Sequence, residues 1–416
     1  MHSQTHYVKT ANLIAVSLLY FASAQSAADP IRNRLATAMR QGDETQVNQI
    51  AAEWRVALKS QAGEPEVADR YARVPPEAQL LTAKERAEGF TRYVELAERS
   101  RWWTPGLDAT RLRHPLREPA SLVRGASAVS RLALARDAAE FLLWAQEQAG
   151  TGVFPFPAVR GITTDPALAA ADRFLTHAER DGSLARVTRN GWIIDDGGDG
   201  GLQFDNGEAG VALLDLHRAT GEARYLQGAR RAGEWALRQP SVPNWNYNSF
   251  SVWLLARLYE RTKDARYLEG ARRKARLGVL PGQLTSGAHK GRWMDAHNAR
   301  PAYHYIMLRA LAALADVLPA GDKDAGRVRD ALAVGLLTRN QEVIERGLMN
   351  KDSLIEALLT VERTFAGEPE FLERTQTIAA LAMAERFVAH EFRLGKLPLA
   401  PGPWGCLLAR SAVAVR

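Results

Sequence analysis

The 416-residue chain is 46% hydrophobic and 24% charged, with 54 Lys+Arg, 47 Asp+Glu and one cysteine. That much apolar material excludes a disordered chain, and the lone Cys406 excludes a disulfide scaffold. The net charge of +7 is spread along the chain without a Lys/Arg run, so nucleic acid is not an expected partner.

At the N-terminus, Lys9 is followed by the apolar run Ala11 to Ala22 and by small residues from Ser23 to Ala28. A basic start, a short apolar centre and Ala22-x-Ala24 have the form of a secretory signal peptide over 1–24. The run is shorter than the roughly 20 residues a membrane-spanning helix needs. The expectation is therefore a periplasmic or secreted protein with no membrane span after cleavage. Removing 1–24 takes away one Lys and no acid, which lowers the net charge to +6.

Residues 25–78 read as an N-terminal helical extension and 79–416 as one helical domain. Apolar periodicity predicts helices over 33–60, 79–101, 120–148, 165–180 and 378–393. The strongest internal signal is a repeat. Leu213 to Arg231 (LLDLHRATGEARYLQGARR) aligns without a gap on Leu255 to Arg273 (LARLYERTKDARYLEGARR). A weaker copy spans Leu359 to Thr377, and a fourth pattern covers Leu308 to Leu337. In each of the first two copies an apolar-periodic helix stops at a polar turn, Thr-Gly-Glu or Thr-Lys-Asp. An acid then precedes the next helix near its positive end. Small residues such as Gly228, Ala229 and Ala232 allow two helices to approach closely. Strand patterns are scarce, so the fold class expected is all-α.

Repeated hairpins build either an open solenoid or a closed ring. The connections 182–207, 239–249 and 281–301 are long and rich in aromatic and polar residues. Long loops in a compact domain usually carry function. They favour a closed (α/α)5-6 toroid of helical hairpins, with these loops on one rim.

The segments Phe204-Asp205-Asn206-Gly207-Glu208-Ala209 and Tyr247-Asn248-Ser249-Phe250-Ser251-Val252-Trp253, each leading into a repeat, resemble the six-hairpin glycosidase superfamily. The resemblance covers about 200–393 well and 79–200 loosely. It implies an (α/α) toroid, and that superfamily includes unsaturated-uronyl hydrolases, polysaccharide lyases and sugar epimerases. Alginate-type lyases of this shape carry an Asn-rich segment that also contains a His. No His follows here, so that catalytic pair does not carry over.

Three loop constellations hold candidate chemistry. Trp192, Asp195, Asp196 and Asp205 offer a ring face and paired carboxylates that could divide acid and base roles. Their bland alternative is a glycine-rich loop with turn-forming Asp residues, Asp205 being an N-cap for a helix starting near Gly207. Trp245, Asn246, Tyr247 and Asn248 offer stacking faces and amides for sugar binding, or else a helix cap and aromatic core. The third is Arg292, Trp293, His297, Arg300, Tyr303 and His304. Abstracting a proton α to a carboxylate needs a cation to neutralise that carboxylate and a Tyr or His to move the proton. Arg292 and Arg300 fit the first role, His297 and Tyr303 the second, with Trp293 and His304 as substrate contacts. His304 alternatively lies in the core of the following helix. The spacing does not support a metal site, and no nucleophile, Walker or other cofactor motif is present.

The function expected is an exported protein acting on an acidic polysaccharide or oligosaccharide by uronate lyase-type proton abstraction. The alternatives are a glycoside hydrolase using the carboxylates, or a non-catalytic helical-repeat protein that binds polysaccharide or another protein.

Overall fold

The computed structural model describes residues 30–60, 71–99, 101–109, 112, 114–161, 165–294, 297–319, 321–348 and 351–413. The signal-peptide expectation over 1–24 lies outside the described residues, as do 25–29 and 61–70 of the expected extension. The chain is all-α, built among the described residues from consecutive helical hairpins and three two-residue strands. No described helix is long and apolar enough to cross a membrane.

In chain order the helices are α1 (Pro30–Gln41), α2 (Glu44–Ser60), α3 (Ala83–Arg99), α4 (Arg117–Ala128), α5 (Leu132–Ala149), α6 (Pro166–Arg180) and α7 (Leu184–Val187). They continue as α8 (Leu202–Thr220), α9 (Ala223–Arg238), α10 (Trp245–Thr262), α11 (Ala265–Gly278), α12 (Pro301–Ala315) and α13 (Lys323–Arg346). The last four are α14 (Lys351–Thr364), α15 (Pro369–Arg374), α16 (Thr377–Arg393) and α17 (Pro401–Val413). Contacts divide the chain into two compact units, one holding Glu95–Arg238 and the other Pro30–Val94 with Gln239–Arg416. The boundary expected at 78/79 falls inside the second unit.

Two long predicted helices are each a pair. Between α1 and α2 the chain reverses at Gly42, whose φ of 73° is left-handed, and Asp43 accepts from Gln46 N–H at 2.9 Å. Between α4 and α5 it turns at Ser130, φ 60°. Periodicity runs across both breaks because the two helices of each pair bury apolar faces, so the pattern alone does not reveal the turn.

The repeat reproduces its turn atom by atom. Thr220 and Thr262 each bond their hydroxyl back to the carbonyl four residues earlier, at 2.9 and 2.7 Å. Each hydroxyl then accepts the N–H of the acid two residues on. The residue between is left-handed in both copies, Gly221 at φ 75° and Lys263 at φ 57°. The opening tyrosines Tyr225 and Tyr267 are both buried. A three-residue polar signature therefore specifies the same bend twice.

In the first unit α8 packs against α4, α5 and α9. The small sheet has the antiparallel order β1 (Phe156–Pro157), β3 (Trp192–Ile193), β2 (Thr188–Arg189). In the second unit α10 packs between α11 and α12, and α12 packs on α13 and α14. The first fourteen residues of α10, Trp245 to Leu258, are all buried, Asn and Ser included. The α1–α2 hairpin sits in this unit, with α2 against α11 and the turn Leu280–Gly282.

Gly282 marks the tightest point of that turn. A methyl group there would overlap the ring of Trp245, which is fully buried and cannot swing away. Gly326, in α13, has nothing within 4 Å of such a methyl. G282A is expected to lower stability by about 1–3 kcal/mol, and G326A to raise it by a few tenths to about 1 kcal/mol. Thermal or urea unfolding of the two variants side by side measures both signs.

Candidate functional site

The second unit brings together the loops 239–249 and 281–301. Asn244 ends the first loop in an extended conformation, but its own side chain does not cap α10. The cap comes from the other loop. Asn298 Oδ1 accepts both the backbone N–H of Asn246, at 2.9 Å, and its side-chain Nδ2, at 3.0 Å. Asn246 Nδ2 also donates to Asn244 Oδ1 at 2.8 Å. The start of α10 and the segment entering α12 are thus joined by one amide oxygen. Asn246 Oδ1 is buried and has no hydrogen-bond partner among the described residues.

Asn248 acts on the loop itself. It accepts from Val242 N–H and donates to the carbonyls of Val242, Asn244 and Gly278, all within 3.0 Å. It is a fastener, fully consumed by backbone. Trp245 and Tyr247 are fully buried, Trp245 against Trp54 at 6.2 Å between rings. Neither offers a face to solvent, which corrects their expected role as stacking platforms for sugar. The aromatic residues follow the helix's inner surface rather than the loop's rim.

The same correction applies to part of the third constellation. Trp293 is fully buried and donates its indole N–H to Val279 O at 2.8 Å. His304 lies edge-on to Trp293 and shares a 2.9 Å hydrogen bond with Gly335 O. Burial keeps its ring well below the usual imidazole range, helped by the charge of Arg339. It is a core histidine. Arg292 pairs with Glu342, which also pairs with Arg339 and accepts from Tyr71 Oη at 3.1 Å. Its charge is therefore already offset. Pro301 is the first residue of α12, which places His297 before the helix and His304 within it.

What remains at the junction is a compact polar group. His297 and Tyr303 stack with ring centres 4.4 Å apart and planes 27° from parallel. Both are nearly buried, at 7% and 4% exposure. Burial pushes the His297 ring down to about 3, with the guanidiniums of Arg300 and Arg32 acting in the same direction. The imidazole is therefore neutral through the physiological range. Arg300 is half-buried and stands at the N-cap position of α12, where its side chain makes no capping bond. Arg32, half-buried on α1, donates to Pro243 O at 3.2 Å. No sequence pattern points to Arg32, because it sits in an ordinary helix more than two hundred residues upstream of the loops. The partnership of Arg292 with Glu342 is equally invisible along the chain.

The carboxylates of the first unit each have structural work. Asp196 is buried and accepts the N–H groups of Gly198, at 3.0 Å, and Leu202, at 2.9 Å, so it caps α8. Burial pushes its carboxyl above the ordinary range. This overturns the expectation that Asp205 is the cap, since α8 begins three residues before it. Asp205 is buried and bonds both oxygens to Arg117, at 3.2 and 2.8 Å. Its burial outweighs the pull of Arg117 and holds its carboxyl above the usual range. Asp195 is half-buried, accepts from Gly197 N–H and pairs with Arg186. Trp192 is fully buried in β3 beside Trp144. Among the described residues no group of three or more His, Cys, Asp or Glu is placed to hold a metal.

In sequence, the chain matches no family model and no curated protein. In structure it is similar to a solved polysaccharide lyase, with a TM-score of 0.46 and 12% identity, covering 80% of this chain and 97% of that one. It is also similar to a glycosyl hydrolase family 88 protein from Bacteroides vulgatus, with a TM-score of 0.46 and 13% identity, covering 81% and 99% of the two chains.

The depressed His297 ring has a consequence for stability. An imidazole in an unfolded chain takes a proton below about 6.5, whereas this one refuses it until about 3. Stability contributed here is complete above pH 6.5 and is lost as pH falls toward 3. H297Q is expected to remove about 1–2 kcal/mol of the acid-induced loss measured between pH 8 and pH 5. Urea unfolding at the two pH values compares the variant with the parent, and NMR of the ring shows whether it stays neutral at pH 5.

Proposed function

We propose that the chain is a carbohydrate-active enzyme whose substrate bears a carboxylate, acting by uronate lyase-type proton abstraction at the His297–Tyr303 group. One observation carries this reading. A neutral imidazole and a phenol are stacked at the meeting of two helix N-termini, under the positive influence of nearby guanidiniums. Helix N-termini and arginines favour an anion at this point. The resemblance of the repeat segments to six-hairpin enzymes supplies the carbohydrate class.

In this reading Arg300 neutralises the uronate carboxylate, which acidifies the proton on the adjacent ring carbon. Tyr303 exchanges that proton. The electrons left behind form the new carbon–carbon double bond, the bond to the glycosidic oxygen breaks, and a proton returns to that oxygen. His297 is too reluctant a base to hold the proton, and serves as a neutral polar wall that orients the phenol through its stacked face. Arg292 drops out of the carboxylate role because Glu342 occupies it. The segment 1–24 directs export, and the substrate is met in the periplasm or outside the cell.

A panel of uronate polysaccharides, followed by both unsaturated-uronate absorbance and new reducing ends, tests the reaction. The reading expects both signals to rise together, and Y303F to lower kcat by roughly 10²–10⁴-fold while the protein stays folded. Reducing ends without the absorbance would instead indicate hydrolysis by carboxylates. Binding without turnover, indifferent to Y303F, would indicate a polysaccharide-binding protein.

A further inference from the structure

Helix α2 sets two adjacent residues against the bases of both site loops. Trp54 is buried and packs against Trp245, the first residue of α10, with ring centres 6.2 Å apart. Arg55 donates to Pro281 O at 2.6 Å, where the 281–301 loop begins. Neighbouring side chains leave a helix about 100° apart, so one short stretch of α2 reaches both loops at once. Ten residues before Trp54, about 15 Å along the helix, Glu44 pairs with Arg276 of α11 at 3.1 Å and with Arg327 of α13 at 3.0 Å. The helix is therefore held at both ends and acts as a stiff bar.

Arg55 holds the frame on which the second loop returns. Val279 O accepts the Trp293 indole N–H at 2.8 Å, and Gly282 O accepts the Met294 N–H at 2.7 Å. Pro281 O, between those two acceptors, is the one that Arg55 takes. Met294 stands three residues before His297. Gly282 is pressed so closely on the Trp245 ring that a Cβ would overlap it. Trp245 thus meets both Trp54 and the turn that Arg55 holds, and its neighbour Asn246 takes the bridge from Asn298. One route runs from α2 through Pro281 to Met294, the other through Trp245 to Asn246 and Asn298. Both end on the segment that carries His297.

We propose that Trp54 and Arg55 are positioning residues for the His297–Tyr303 group, fixing the bases of the two loops while Asn298 joins them at the start of α10. The inference rests on the reading of that group as the place of reaction. The α1–α2 hairpin then belongs to the working site, although its residues lie far upstream. A charge-assisted bond to a backbone carbonyl and a ring-on-ring contact set position without touching substrate. Displacing reacting groups by about 1 Å is enough to cost a large factor in rate.

The test compares the full chain with R55A, R55K, W54L and V47A. Val47 lies on the buried face of the same hairpin, two turns before Trp54, so V47A weakens the hairpin without removing either contact. Turnover of a uronate polysaccharide gives kcat and KM separately, unfolding gives the midpoint, and NMR follows the His297 ring signals. R55A and W54L should lower kcat about ten- to a hundredfold with KM nearly constant, and should move the His297 signals. R55K should recover part of the loss, because an ammonium can also donate to Pro281 O. V47A should lower the unfolding midpoint and leave kcat and the ring signals unchanged. If R55A and W54L leave kcat and the ring signals as in the parent, or if V47A loses as much kcat as R55A, α2 is only a structural support and the inference is overturned. If the parent turns over no uronate while R55A and W54L still move the His297 signals, the reading of the reaction fails and the positioning by α2 stands.

Discussion

The site depends on a single amide oxygen. Asn298 Oδ1 satisfies the backbone N–H of Asn246 and its side chain together, so the first turn of α10 is capped by a residue from the segment that leads into α12. A helix N-terminus needs such acceptors, and buried ones left unmet cost 1–3 kcal/mol each. Here the need is met across 52 residues of sequence instead of within one turn. Folding α10 correctly therefore brings the two loops together. The positions of Asn246, His297, Arg300 and Tyr303 follow from that one requirement.

Electrostatics then divides the arginines. Arg292 and Arg339 share Glu342, and Arg309 pairs with Glu356 while lying 3.6 Å over the Trp253 ring. Those pairs let the unit carry guanidiniums in its interior, because a buried charge is tolerated when it is matched and hydrogen-bonded. At His297 burial is the larger cause of the ring's resistance to a proton, and the charges of Arg300 and Arg32 add to it.

Much of the architecture could be read from the sequence, and the reason is local. The Thr-Gly-Glu and Thr-Lys-Asp turns encode their geometry within three residues, so the repeat predicts hairpins that the structure contains. Asp165 before Pro166 likewise announces the start of α6, where its carboxylate accepts from Ala167 N–H at 2.7 Å. The site was legible only as a neighbourhood. His297 and Arg300 lie in the loop where cations and a His concentrate, and Tyr303 follows in the first turn of α12. Trp245, Tyr247 and Trp293 share that composition yet belong to the core, because a tryptophan near a loop reads alike whether its indole meets water or Val279 O. Long-range partners were not legible at all. Glu342 for Arg292 and the arrival of Arg32 are properties of packing between distant helices.

The central claim is that a carboxylate binds where the N-termini of α10 and α12 meet, beside the stacked His297 and Tyr303. The most direct measurement is a crystal structure of the mature protein with a bound uronate oligosaccharide, using Y303F to prevent turnover. The account predicts that the sugar's carboxylate lies within hydrogen-bonding distance of Arg300, with the acidified carbon facing position 303. An oligosaccharide seated on Asp195 or elsewhere in the 95–238 unit, with the α10–α12 junction empty, would contradict it.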